Sequence, residues 1–172
     1  MAKQPYALVR DGVLIEVRDV EPESIPVHKL DTDGGCLLRP FVVAEEPAHN
    51  PALETATVQL VITPEKVEQV WTVARRSLAV QHEAVKTECG RRIYTLFPQW
   101  KQANLTARAT ELVNLRVVNG ALSPEETVEF AALQSIWDWI KAVRAASDAL
   151  EAMDPIPLSY QSDQHWPAEW GT

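Results

Sequence analysis

Cysteine is nearly absent: the 172 residues hold two, Cys36 and Cys89, with no CxxC pair and no zinc-type spacing around either. A cysteine-built metal centre is therefore excluded; the count allows one disulfide, but two free thiols are the expectation. Glycine is scarce too, at six residues. The paired glycines, Gly34-Gly35, fall in an acidic loop, and no GxGxxG, P-loop or GxSxG pattern occurs. The four histidines, His28, His49, His82 and His165, are scattered, with no HExxH motif. Asp19, Glu21, Asp31 and Asp33 lack calcium-loop spacing. His82 and Cys89 share a side of one predicted helix, but seven residues of helical rise separate them by about 10 Å, too far for direct proton transfer. These absences read as a non-enzymatic protein with no metal and no cofactor. Apolar runs such as VQLVI at 58–62 fall far short of a membrane span, so no membrane partner is expected. MAKQPYALVRDG at the start lacks the apolar core of a signal peptide, which reads as a soluble, non-exported chain.

Positive charge is also short. The net charge is −8, with 46% hydrophobic and 23% charged residues, an ordinary folded composition. Residues 1–74 hold 6 Lys/Arg against 12 Asp/Glu, residues 75–153 hold 10 against 9, and residues 154–172 hold none against 3. Duplex binding needs several cations facing phosphates, so this distribution disfavours nucleic acid as a partner.

The first part reads as strands and turns. YALVRDGVLIEVRDV at 6–20 sets two apolar runs around Asp11-Gly12, a tight-turn signal for a hairpin. Val13, Ile15 and Val17 alternate on its returning strand as the apolar face, with Leu14 opposite. After a Pro- and Gly-rich loop, LRPFVVAEE offers a short strand at 41–44, beginning after Pro40. Val58, Leu60 and Ile62 alternate, a Thr-Pro-Glu-Lys turn follows, and VEQVWTV at 67–73 returns as a second hairpin strand. So few strands leave an apolar side for helices or another chain to cover.

From residue 77 the period changes. Leu78, Val85, Cys89, Ile93 and Leu96 lie along one side of a helix over about 77–96. Arg91-Arg92 on it reads as a solvated or ion-paired flank. Pro98 suits the first turn of a second helix, about 98–118, with Trp100 wedged into the elbow. Trp100, Ala103, Ala107 and Glu111 would share its face. The third helix opens on Ala-Leu-Ser-Pro-Glu-Glu: Ser123 caps, Pro124 takes the first position and Glu126 completes a capping box. It should run over 124–153 and bury Leu133, Ile136, Ile140, Val143, Ser147 and Leu150, with Trp137 and Trp139 on the shoulders. The proline-rich end, 154–172, reads as an extended arm. Its aromatics Tyr160, Trp166 and Trp170 either fold back on their own domain or dock on a neighbour, and with Trp139 of the third helix they are the interface candidates. The expected class is α+β: a β-rich module at 1–74, a three-helix domain at 75–153, and the arm.

RRIYTLFPQWKQANLTARATEL at 91–112 and AALQSIWDWIKAVRAASDALEAMDPIP at 131–157 resemble the C-terminal helical region of small tail-associated proteins of tailed bacteriophages. The resemblance rests on Arg92, Ile93, Pro98, Trp100, Lys101, Gln102, Asn104, Arg108, Glu111 and Leu112, then Trp137, Ile140, Val143 and Arg144. It covers about 60% of the chain. In the linker, Asn50-Pro51 matches the group, but Leu53-Glu54 replaces its Thr-Gln. The resemblance implies a virion tail part made in the bacterial host cytoplasm, multi-copy in its assembly, with tail-fibre or baseplate proteins as partners. The alternative it implies is a tail-fibre assembly chaperone absent from the mature virion. It carries over no catalytic residue.

Overall fold

The computed structural model describes residues 3–21, 31–32 and 36–171. The readings of His28, Asp33 and Gly34-Gly35 lie outside those residues, as does that of the Cys36 thiol. The chain is α+β: a β-rich N-terminal module, then three helices and a short C-terminal extension. It forms two compact units, Met1–Arg75 and Arg76–Thr172.

In the first unit, strands β1 (Gln4–Arg10), β2 (Val13–Val20), β3 (Asp31–Thr32), β4 (Cys36–Val42), β5 (Glu54–Ile62) and β6 (Val67–Arg75) make one sheet in the order β2-β1-β4-β6-β5, with β3 beside β4. Asp11 and Gly12 take φ of 50° and 76°, the positive pair that a two-residue hairpin turn requires. The hairpin forms as expected, but its inner face differs from the alternation. Leu8 pairs Glu16 while Val9 pairs Leu14, so Ile15 is an extra residue in a β-bulge. The bulge shifts the phase of β2 on its Val13 side, while Val17 stays opposite Ala7. Leu14 then packs on the core of Ala7, Val9 and Val67, and Val13, Ile15 and Val17 are exposed.

Phe41 and Ile62 complete that core. The strand expected at 41–44 instead spans Cys36–Val42 with Pro40 inside it. Its parallel ladder to β6 starts only at Phe41, so on that side Pro40 has no ladder to interrupt. β5 and β6 pair without a break from Glu54↔Arg75 to Ile62↔Val67, as the second hairpin expected.

The second unit holds α1 (Leu78–Leu96), α2 (Gln99–Asn119) and α3 (Pro124–Glu151). The capping box is complete: Glu126 N–H donates to Ser123 Oγ at 3.1 Å and Ser123 N–H to Glu126 Oε2 at 2.8 Å. Pro124 follows the cap, where a missing N–H costs nothing. The six buried residues of α3 are Leu133, Ile136, Ile140, Val143, Ser147 and Leu150, the stripe read from spacing. Val85, Cys89 and Ile93 of α1 are buried as read, whereas Leu78 is exposed. Gly120, at φ 79°, ends α2 in the left-handed conformation that glycine adopts without strain.

Candidate interaction site

The end of α1 carries a charged lock. Glu88, Arg91 and Arg92 sit at i, i+3 and i+4, so both guanidiniums reach one carboxylate. Arg91 donates Nε to Glu88 Oε2 at 2.7 Å and Nη2 to Oε1 at 2.6 Å, and Arg92 donates Nε to Oε1 at 2.8 Å. Burial alone would raise the Glu88 pKa, but the hydrogen bonds and charges of Arg91, then Arg92, outweigh it and hold the carboxyl below its ordinary value. The arginine pair is thus ion-paired, and Glu88 is no free base.

Arg92 also ties the C-terminal segment to α1. Its Nη2 donates to Gln161 O and Asp163 Oδ1, both at 2.8 Å, and its guanidinium lies 5.0 Å from the Trp166 ring centroid. Trp166 Nε1 donates to Tyr160 O at 2.6 Å, and Trp139 Nε1 to Ala168 O at 2.7 Å. Ile156, Tyr160 and Trp166 are buried in their own unit, closing over α1 and α3. Tyr160 and Trp166 therefore leave the interface set. A buried aromatic that fills its own core has no surface left to offer. Trp139 and Trp170 are partly covered, both against Phe97, with ring centroids 5.9 Å and 5.5 Å away.

Phe97 also corrects the elbow reading. It is 1% exposed, while Trp100, expected as the wedge, is 68% exposed. Pro98 is the N-cap of α2, and this start turns Leu105, Arg108 and Leu112 inward, with Leu112 fully buried. Trp100, Ala103, Ala107 and Glu111 face solvent instead. The signal that finds the true seam is the Leu105 and Leu112 heptad spacing; Phe97 is the apolar residue directly before the proline.

A cavity of about 340 Å³ lies under the terminal segment, lined by Arg91, Arg92, Leu96, Trp139, Val143 and Pro167 among others. Its arginines are already paired to Glu88, so the cavity offers no free acid-base pair. A second hollow, about 300 Å³, runs between α2 and α3 along Ala109, Val113, Phe130, Leu133 and Trp137. Arg108 bridges the same two helices to Glu129 at 2.7–2.8 Å and also meets Glu111. Beyond them Val117 and Val118 stand about four-fifths exposed, at 77% and 80%.

One serine-histidine contact escaped the sequence reading: Ser159 Oγ lies 3.1 Å from His165 Nε2. Gln164 Nε2 shares that ring nitrogen at 3.1 Å, and among the described residues no acid orients Nδ1, so no triad forms. The Cys89 thiol is free and buried, and burial pushes its pKa up. Among the described residues no group of three or more His, Cys, Asp or Glu is placed to hold a metal ion, and no helix is long and apolar enough to cross a membrane. Among the described residues, apolar surface is left exposed on the α2–α3 hairpin, at Trp100, Val117, Val118 and Val128, and also on strands β2 and β5. No protein-family model matches the chain, and no curated protein matches it.

Proposed function

We propose that the protein is a non-enzymatic structural adaptor of a bacteriophage tail, joining or decorating tail-fibre or baseplate proteins through protein contacts. The observation that carries the reading is the exposure of Trp100. It stands in the middle of the motif resembling tail-associated proteins, yet the fold does not use it. Tryptophan is enriched among interface anchors, and a bare one near the start of α2, with Val113, Val117 and Val118 exposed farther along the same helix, makes α2 a surface suited to protein. Arg92, Ile93 and Pro98 of the motif are accounted for by the arm lock, the core and the elbow, which leaves the contact role to the outer face of α2.

Co-expression of the full tagged chain with the tail-fibre and baseplate proteins of its phage tests this. The wild type is expected to retain one of them. Trp100→Ala and Val117→Asp should weaken that retention by about tenfold or more, as anchor residues do, without lowering the melting temperature. Retention of no tail protein, or retention by both variants equal to that of the wild type, would defeat the reading.

A further inference from the structure

The two edges of the sheet are treated differently. β2, at one end, carries Glu16, Arg18 and Asp19 and the bulge at Ile15, the devices by which edge strands resist pairing. β5, at the other end, has no bulge, and its one charge is its first residue, Glu54. Thr55–Ile62 reads TATVQLVI, with no charge, no proline and no glycine. Its ladder to β6 is unbroken over nine residues, and among the described residues no strand lies on its outer side. Thr57, Val58, Gln59, Leu60 and Val61 are all exposed. In such a strand alternate N–H and C=O groups point outward, and their chemical complement is another extended strand.

We infer that the outer edge of β5 pairs antiparallel with β5 of a second copy, joining two sheets across a two-fold axis at Gln59. The strand suits itself. With no charge between Thr55 and Ile62, self-pairing opposes no like charges in that stretch. Residues directly opposite in an antiparallel pair share a face, so the register must match faces as well as hydrogen bonds. Val58 and Leu60 lie on the same face as Ile62, which packs on the core. Centring on Gln59 sets Val58 against Leu60 and Ala56 against Ile62 of the second copy, apolar on apolar. On the other face it sets Thr57 against Val61, and the two Gln59 amides against each other. A register shifted by one residue would place the core side of one copy against the outer side of the next. The pairing needs no tail protein, so it stands or falls apart from the adaptor reading.

Sedimentation velocity of the full chain, with site-specific crosslinking, tests it. The wild type should sediment as a dimer, and Gln59→Lys, which opposes two ammonium groups at the axis, should weaken the dimer several-fold with an unchanged circular dichroism spectrum. Gln59→Cys should form an intermolecular disulfide under mild oxidation, whereas Val13→Cys on β2 should not. A wild type that stays monomeric at every concentration tested overturns the inference. So does a dimer that Gln59→Lys leaves intact, or one in which Val13→Cys crosslinks and Gln59→Cys does not, because either places the contact elsewhere.

Discussion

Truncating Phe97 to alanine is expected to destabilise the helical unit severely, while the same change at Trp100, the larger side chain, is expected to do almost nothing. Phe97 is 1% exposed, so its ring transfer alone is worth about 1.5–3 kcal/mol. Two tilted or edge-on contacts, to Trp139 and Trp170, add about 0.5–1.5 kcal/mol each. The elbow backbone is fixed by Phe97 N–H donating to Ile93 O at 2.8 Å, which limits collapse into the vacated space. Together these give about 2.5–6 kcal/mol, which brackets the range of about 3–5 kcal/mol usual for a core phenylalanine. Trp100, mostly in solvent, should change stability by less than about 0.5 kcal/mol. Urea unfolding followed by tryptophan fluorescence reads this well: of six tryptophans only Trp71 belongs to the β unit. Equal losses in the two variants, or a Phe97→Ala loss below about 1 kcal/mol, would refute the elbow geometry, since a buried ring cannot be removed at surface cost.

Three further outcomes follow from the same contacts. Ser123→Ala should cost about 0.5–2 kcal/mol and raise amide exchange over residues 124–128; unchanged exchange would contradict the cap. Glu88 has a depressed folded pKa, so the stability it contributes is complete above its ordinary value of 4.5 and is lost as pH falls through the lower folded value. Melting curves across that acid range should therefore fall less steeply in Glu88→Gln than in wild type, from a lower starting stability, and parallel curves would count against the lock. Deleting the residues after Met153 removes the buried Ile156, Tyr160 and Trp166, at about 1.5–3 kcal/mol each, and should lower the melting temperature by tens of degrees or prevent folding; a shift under about 5 °C would mean the segment does not close its own core.

Much of the helical unit is legible because local chemistry and periodicity agree there. Ser123, Pro124 and Glu126 state where α3 begins, and Leu133 through Leu150 state which face is buried. Where one residue shifts the phase, reading by period fails. The bulge at Ile15 is invisible in VLIEVRDV, whose alternation is regular, and it puts Leu14 in place of Val13 and Ile15 on the core side while Val17 stays opposite Ala7. At the elbow the expected wedge is Trp100, but the helix start at Pro98 turns Trp100 outward and leaves Phe97 buried. The fate of the arm was not legible, since Tyr160 and Trp166 suit a neighbour's groove as well as their own. The Arg92 lock, formed across 69 and 71 residues of sequence, settles it within the unit. The candidate surface was legible only by subtraction, as the apolar residues of α2 that the core leaves unused.

Quantitative mass spectrometry of purified virions tests the adaptor account most directly. It predicts the chain in intact particles at a fixed small-integer number of copies per tail, surviving high-salt washing because apolar contacts hold it. Absence from particles, with recovery alongside nascent tail-fibre protein in the infected cell, would contradict the account and establish an assembly chaperone in its place.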